Sequence, residues 1–247
     1  MAHVESVARA LKILEALAMS PAGLSECARR VGLPKSTVAR LLNTLEETEA
    51  VERAEDGLMY RLGPMVQRLS SAAGGPAQLA AFAWPYLEEL TELTDEAAGI
   101  SIPDGYRVHY IDQTESQHPV QVRDWTGDLI PMHLVSSGLV IMAHWPEEQI
   151  VRYLNRDLEK TTPNSVVDHD AIRERLDRIR ETGFAWVFEE FVEGINSVAA
   201  PVFEKETITA AIHVHGPAYR FPSPGDEDRI GKAVADAARR LWEAMAR

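Results

Sequence analysis

Residues 35–44 carry a group of hydrogen-bond donors suited to nucleic acid. The group consists of Lys35, Ser36, Thr37, Arg40, Asn43 and Thr44. Cationic, hydroxyl and amide side chains of this kind donate to phosphate oxygens and to base edges in the major groove of DNA. No Asp or Glu occurs between Cys27 and Leu45, so no acidic side chain opposes a polyanion there. This pattern predicts a DNA-reading surface, with an ordinary solvated helix face as the alternative.

Two short helices joined by a tight turn are predicted to position these donors. Leu24, Ala28 and Val31 recur at helical spacing before Gly32, a residue that commonly ends a helix. Pro34 suits the first position of a second helix, because its missing N–H costs nothing there. Opposite the donors, four apolar residues fall at i, i+3, i+4 and i+7: Val38, Leu41, Leu42 and Leu45.

A hairpin and a leading helix complete a predicted winged helix-turn-helix. Glu55-Asp56-Gly57 stands between two strand-like runs, and Asp-Gly in this setting indicates a tight hairpin turn. Upstream, an amphipathic helix is expected to place one apolar face in the core: Val7, Leu11, Leu14, Leu17 and Ala18. Arg53 and Arg61 on the wing and Arg9 near the front are candidate phosphate contacts. For Arg9 and Arg61 a surface ion pair is the alternative.

Composition is consistent with two domains of different charge. The chain has 247 residues, 45% of them apolar, and a net charge of −13. Residues 1–70 hold nine Lys or Arg and nine Asp or Glu, so the acidity belongs to the remainder. Cys27 is the single cysteine, which excludes an internal disulfide and a cysteine-based zinc finger. No apolar run approaches the roughly 20 residues of a membrane span, so we expect a cytoplasmic protein without a membrane partner.

The second half of the chain predicts an α+β domain. Small residues near 70–76 indicate a linker, and a helix follows at 77–94. Alternating patterns predict strands at 97–102, 106–113, 120–125, 184–187, 197–203 and 207–215. Helical patterns occur at 136–144, 147–155, 171–181 and 225–246. We assign 1–63 to a winged helix-turn-helix domain, 64–76 to a linker helix and 77–247 to the second domain.

The chain resembles the IclR family of bacterial transcriptional regulators over nearly its whole length. The resemblance is carried by six segments: VESVARALKIL at 4–14, GLPKSTVARLLNTLE at 32–46, YRLG at 60–63, PMH at 131–133, LEKTTPN at 158–164 and EGINSVAAPV at 193–202. It implies a winged-helix head, a linker helix and a GAF-like effector-binding and oligomerisation domain. It also implies homodimers or homotetramers that bind double-stranded operator DNA and respond to a small-molecule effector.

The resemblance places an effector pocket between the helix start after PMH and the facing strands. Carried over by position, the candidate residues are Ser136, Ser137, Ser197, His213 and His215, to which we add His133 and Trp125. The chain departs from the family at Ser197, where many members have Cys, and at both strand histidines, where many have a small hydroxyl residue. Leu139 stands where a Gly-Lys pair is common. Alternation along the strand places His213 and His215 on one face.

These departures bear on the class of effector. Two histidines and several hydroxyls favour an anionic or polyhydroxylated ligand, with imidazole charge available near neutral pH. Trp125, Phe188 and Phe191 equally favour an aromatic acid, so we expect an organic or aromatic acid. A metal on His213, His215 and His133 is the weaker alternative, and no cofactor is expected.

The sequence therefore predicts a DNA-binding transcriptional regulator whose operator binding responds to an effector. No Gly-x-Ser-x-Gly elbow, glycine-rich phosphate loop or Gly-x-Gly-x-x-Gly occurs, so we expect no enzyme. Two alternatives are a ligand-sensing module whose winged helix contacts proteins and, less favoured, a hydrolase. Specific DNA binding would weaken steeply as salt rises, which separates it from protein contact.

Overall fold

The computed structural model describes residues 4–54, 57–72, 75–205 and 207–246. The chain divides into two compact units, Met1–Gly75 and Pro76–Arg247. Glu55 and Asp56 of the expected wing turn, and residues 73 and 74 of the expected linker, lie outside the described residues. The predicted fold class, a helix-turn-helix head followed by an α+β domain, is confirmed.

The first unit is built from four helices and a small antiparallel sheet in its described part. Its elements are α1 (Glu5–Met19), β1 (Ala22–Gly23), α2 (Leu24–Val31), α3 (Lys35–Glu47), β2 (Val51–Arg53), β3 (Met59–Leu62) and α4 (Pro64–Ala72). Strand β3 lies between β1 and β2, so the wing is joined to the start of α2 through β1.

Gly32 makes the turn between α2 and α3. Its φ of +66° is in the left-handed region, where glycine carries no Cβ penalty, and its N–H donates to the Ala28 carbonyl. Helix α3 begins one residue later than expected, with Pro34 as its N-cap. Val38 and Leu42 on α3 are fully buried. The predicted apolar stripe therefore packs into the core of the head.

The apolar face predicted for α1 is wrong in part. Leu17 is buried as expected, and so is Ile13, which the predicted face did not include. Val7 and Leu11, however, are 56% and 54% exposed. Helix α1 thus has two apolar faces, and one of them packs against the rest of the head while the other, with Val7 and Leu11, is exposed.

The second unit contains one six-stranded sheet with helices on both faces. Its elements are α5 (Gly75–Thr94), β4 (Ala97–Asp104), β5 (Arg107–Gln113), β6 (Leu129–Pro131), a 3-10 turn (Met132–Leu134), α6 (Ser136–Met142), α7 (Glu147–Leu154), α8 (His169–Thr182), β7 (Ala185–Phe188), β8 (Ile195–Glu204), β9 (Thr207–Pro217) and α9 (Glu227–Met245). The strand order is β6-β5-β4-β9-β8-β7, and every neighbouring pair is antiparallel.

One predicted strand is wrong. Residues 120–125, all of which the structure describes, form an irregular loop, and the strand in this region is the shorter β6 at Leu129–Pro131. Within the described part of the chain, no helix is both long enough and apolar enough to cross a bilayer.

The two faces of the sheet belong to separate hydrophobic cores. One face packs against α5 and α9 and includes Val198, Ile212 and Val214. The other packs against α6, α7 and α8 and includes Ala199 and Ala211. Because successive side chains on a strand alternate between faces, His213 and His215 lie on the α6 side.

Candidate DNA-reading surface and effector pocket

The sequence-predicted donors of α3 lie along the outer side of that helix. Lys35, Ser36, Arg40, Asn43 and Thr44 are exposed, and Thr37 is half-buried. Lys35 and Arg40 form no ion pair with any residue that the structure describes, so their charge is available to a polyanion. The Thr44 hydroxyl donates to the Arg40 carbonyl at 3.2 Å.

The other three candidate DNA contacts are engaged in ion pairs. Arg9 pairs with Glu5, Arg53 with Glu46 at 3.0 Å and Arg61 with Glu52 at 2.7 Å. Exposed pairs of this kind contribute about 0–1 kcal/mol, so a phosphate can displace the carboxylate. Among the described residues of the head, the cations without a carboxylate partner are Lys12, Lys35 and Arg40. Two of these three lie on α3, where base reading was predicted.

His213 and His215 form a buried pair on β9. Their ring centroids lie 5.6 Å apart with an interplanar angle of 24°. None of the four ring nitrogens has a hydrogen-bond partner among the described residues. Gly99 and Ala97 on β4 lie opposite the two histidines, and these small residues leave room for the imidazoles. The predicted placement of both side chains on one face agrees with this arrangement.

Hydroxyl groups surround the histidine pair. Ser136 Oγ at the start of α6 donates to Ser197 Oγ on β8 at 2.9 Å. The Tyr110 hydroxyl and Ser137 Oγ are hydrogen-bonded at 3.4 Å, and the Tyr110 ring meets His213 edge-on at 4.6 Å. The structure therefore brings together the candidate residues of α6, β8 and β9.

Tyr110 is a pocket residue that sequence reasoning missed. It is buried, it lies on β5, and burial raises the pKa of its hydroxyl to about 12. The available signal was alternation, since Val108 and Tyr110 share the inward face of a strand that was correctly predicted.

A cavity of about 30 Å³ adjoins His215 on the α6 side of the sheet, and His213 is not among its lining residues. Its lining includes Tyr110, Trp125, Phe191, Ser197 and His215. Trp125 and Phe191 are in contact, with ring centroids 5.6 Å apart. A volume of this size holds about one or two water molecules, whereas pockets that bind drug-sized ligands have volumes of roughly 300–1,000 Å³. A metabolite therefore requires the walls of the cavity to move apart.

Residues 189–195, hereafter the strap, supply one of these walls through Phe191. Three hydroxyl side chains from the loop between α7 and α8 hold the strap. Thr162 Oγ1 donates to the Glu189 carbonyl at 2.7 Å, and Ser165 Oγ donates to the Glu190 carbonyl at 2.7 Å. Thr161 Oγ1 donates to the Phe191 carbonyl at 2.8 Å.

The electrostatic state of the pair differs from the sequence expectation. Burial lowers the pKa of His215 to about 4 and the pKa of His213 well below its usual value. Both imidazoles are therefore neutral near pH 7. The expectation that imidazole charge would be available near neutral pH is therefore wrong for His213 and His215.

His133 lies outside this arrangement. Its Nε2 lies 2.8 Å from the Glu159 carbonyl, which can only accept, so Nε2 carries the hydrogen. Nδ1 must then accept from the Tyr153 hydroxyl at 2.7 Å. Both nitrogens of His133 are thus occupied by the protein. No group of three His, Cys, Asp or Glu side chains able to hold a metal ion occurs in the described ranges.

Two family sequence models match the chain. The model described as IclR helix-turn-helix domain matches residues 6–55, and the model described as Bacterial transcriptional regulator IclR C-terminal matches residues 72–242.

Individual relatives agree with these matches. An HTH-type transcriptional regulator of Mycobacterium tuberculosis is 34% identical over 222 residues, which is 88% of this chain and 84% of that protein. The transcriptional repressor IclR of Escherichia coli is 29% identical over 97% of this chain and 89% of its own length.

Solved structures show the same fold. The IclR regulator from Alicyclobacillus acidocaldarius has a TM-score of 0.64 at 27% identity, covering 98% of this chain and 99% of its own. An IclR homolog from Microbacterium hydrocarbonoxydans, complexed with 4-hydroxybenzoate, has a TM-score of 0.64 at 22% identity, with 98% and 99% of the two chains covered.

Proposed function

Because the chain belongs to the IclR family of bacterial transcriptional regulators, which join a helix-turn-helix DNA-binding domain to an effector-binding domain, we propose that α3 reads the operator and that an organic acid binds beside His215. The observation that carries the effector assignment is the buried imidazole pair, whose nitrogens have no partner among the described residues. Such groups cost free energy until a ligand satisfies them. We propose binding alone, without a catalytic step, in the cytoplasm where operator DNA is found.

An aromatic acid suits the walls of the cavity. Trp125, Phe191 and Tyr110 offer ring faces and edges, while Ser197 and His215 offer polar atoms at one end. Aromatic rings favour offset or edge-to-face contacts with such walls. The relative that was solved with 4-hydroxybenzoate makes this acid the first probe to try.

A homodimer, alone or within a homotetramer, is proposed to present two heads to the DNA. A single recognition helix makes few base contacts, so useful affinity requires two half-sites. The outer face of α1 supports pairing through the head, because Val4, Val7 and Leu11 are 62%, 56% and 54% exposed. Helix α4 is the proposed linker through which the effector domain alters the spacing or mobility of the paired heads.

The assignment of α3 is tested with duplexes that the protein itself selects from a random-sequence pool. We expect Arg40→Ala to weaken binding to the selected duplex by about 1–3 kcal/mol, with loss of discrimination at one base pair. Binding to a scrambled duplex should change little. Arg173→Ala on α8 is the matched control. Equal weakening on both duplexes would make Arg40 a phosphate contact, and failure to recover any preferred sequence would favour protein contact by the winged helix.

The effector is sought by thermal shift with small carboxylates, aromatic acids, sugars and divalent metals. A ligand at 100 times its Kd adds about 2.7 kcal/mol to the free energy of unfolding, which is readily measured. We expect an acid to stabilise the protein, His213→Ala to abolish that effect, and operator binding by the variant to persist. An unchanged response in His213→Ala would remove this residue from the pocket.

Pairing through α1 is tested by light scattering during gel filtration. We expect Leu11→Asp to reduce the oligomeric state and operator affinity together, because an aspartate in an apolar interface is not solvated. Val120→Asp, at another exposed apolar position, is the control. An unchanged oligomer in Leu11→Asp would exclude this face of α1.

A further inference from the structure

The cavity beside His215 offers no positive charge to an anion. Its described lining combines aromatic and aliphatic side chains with Ser197 and a neutral imidazole, and none of these lining residues is Lys or Arg. Arg123 lies over the Trp125 ring at 3.9 Å, but its guanidinium is paired with Asp128. Burying a carboxylate without a cation is far more costly than a neutral hydrogen bond is favourable. A bare acid anion is therefore a poor ligand here.

The groups that face the histidine pair are neutral or negative. Tyr110 on β5 is neutral at physiological pH, and Asp124 in the loop before β6 acts on His215 as a negative charge. Strands β4 and β8 and helix α6 supply uncharged residues on this side: Ala97, Gly99, Ser197, Ala199, Ser136 and Ser137. On the strap, the Glu189 carboxylate accepts from the Gly194 N–H, and Glu190 is paired with Arg175. These surroundings favour an added proton over an added anion.

We propose that the effector acid enters the cavity together with one proton, which the carboxylate shares with the unpartnered imidazole of His215. This inference rests on the proposed acid effector. One carboxylate and one proton leave the solvent, neutral His215 accepts them, and a buried pair without net charge results. No covalent bond is formed or broken. One proton is taken up per acid bound, whether it resides on the ring nitrogen or on the carboxyl oxygen.

Proton uptake gives the affinity a defined pH dependence. Near neutral pH the free acid is ionised and the free His215 is neutral, since burial lowers its pKa to about 4. The complex therefore holds more protons than its separate components. Affinity must fall as pH rises, by up to about tenfold per pH unit, over the range that lies above the pKa values of the free acid and free His215 and below the pKa of the bound pair.

The test is calorimetric titration of the full-length protein with 4-hydroxybenzoate near pH 7, in phosphate and in Tris. These buffers differ in ionisation enthalpy, so the difference in observed heat counts the protons taken up. We expect about one proton per acid bound and a Kd that rises through the range from about pH 6 to pH 8. The uncharged analogue 4-hydroxybenzamide should bind without proton uptake and with a Kd that does not change over this range.

Two variants locate the proton. His215→Gln should weaken acid binding near pH 7 by at least about tenfold, because the amide of glutamine is not basic and cannot share a proton with the carboxylate as imidazole does. Its thermal unfolding is measured first to establish that it folds. His169→Gln, at the exposed start of α8, should retain the wild-type affinity and proton count.

The outcomes separate this inference from the proposed function. Acid binding without proton uptake, at a Kd independent of pH, would overturn the proton coupling and leave the acid effector standing. Proton uptake that is unchanged in His215→Gln, with unchanged affinity, would remove His215 from the mechanism. No acid binding at any pH would contradict the acid effector itself, and with it the coupling.

Discussion

Gly99 and His213 lie opposite each other in the β4–β9 pair, and a Cβ at Gly99 would stand 2.5 Å from Nε2 of His213. The same Cβ would lie 2.9 Å from the Asp112 carbonyl oxygen. We predict that Gly99→Ala displaces the imidazole, lowers the free energy of unfolding by about 1–3 kcal/mol and abolishes stabilisation by acids. Urea unfolding with and without 4-hydroxybenzoate measures both effects.

Gly23→Ala is the matched control for this substitution. Gly23 is a strand residue with a φ of −76°, and its nearest neighbour would be an ordinary 3.4 Å away from an added Cβ. The control should lose little stability. If Gly99→Ala keeps both its stability and its response to acids, the close approach of Gly99 to His213 is needed neither for folding nor for acid binding.

Local spacing was sufficient to predict the helix-turn-helix. The turn at Gly32 and the stripe through Val38 and Leu42 depend on residues within about two helical turns, so the sequence contains the relevant interactions. The outer face of α1 could not be predicted in the same way. Val7 and Leu11 keep helical spacing, but periodicity does not indicate which of two apolar faces meets the core.

The pocket could be predicted only in part, because it is formed by segments that are distant from one another in the sequence. Alternation correctly put His213 and His215 on one face, yet their neutrality arises from burial by strands and helices far away in sequence. Tyr110 enters the pocket through the pairing of β5 with β4, which its local pattern does not reveal. The segment at 120–125 alternates like a strand and nevertheless forms a loop, because β6 pairs with β5 in its place.

The histidine pair should make the fold sensitive to acid. In the unfolded chain His215 has a pKa near 6.5, whereas in the folded protein burial lowers its pKa to about 4. Between these values the unfolded state binds more protons, so the free energy of unfolding falls as pH is lowered from about 6.5 to 4. His215 alone accounts for a loss of about 3 kcal/mol, and the lowered pKa of His213 adds a loss of the same sign.

Urea unfolding at several pH values measures this loss. His215→Gln should show a smaller decrease than the wild type over the same interval, while His169→Gln should follow the wild type. A wild-type stability that is flat between pH 6.5 and 4 would contradict the neutral buried state of the pair.

Arg61 on the wing is predicted to exchange its ion-pair partner, the Glu52 carboxylate, for a DNA phosphate. Arg61 pairs with Glu52 at 2.7 Å on an exposed surface, where the pair contributes little to stability. Arg61→Ala should weaken binding to selected and scrambled duplexes alike and reduce the slope of log affinity against log salt by about 0.9. Glu52→Gln should strengthen binding to both duplexes severalfold at low salt, because it removes the competing charge.

Anisotropy titrations from about 50 to 200 mM salt measure both changes. The Arg173 and Glu147 pair on the effector domain provides control substitutions of the same types, which should leave the slope unchanged. A salt slope that Arg61→Ala does not alter would leave Arg61 as a surface ion pair only.

The strap should loosen when Thr162 loses its hydroxyl. Thr162 is buried, and its Oγ1 donates to the Glu189 carbonyl at 2.7 Å, so Thr162→Val keeps the shape of the side chain but leaves this acceptor unsatisfied. Losing this hydrogen bond costs about 1–3 kcal/mol. The destabilised segment is the strap, which carries Phe191 over the cavity. Opening of the strap should become about 5-fold to 150-fold more frequent, which is this free-energy range converted at about 1.4 kcal/mol per tenfold, and hydrogen exchange of the amides of residues 191–195 should accelerate accordingly. Thr182→Val, which removes a comparable hydroxyl from the exposed end of α8, should leave the exchange of these amides unchanged.

Thr162→Val should also bind and release 4-hydroxybenzoate faster, since the cavity must widen to admit an acid. Unchanged exchange at 191–195 in Thr162→Val would show that the strap is held by contacts other than these hydroxyls.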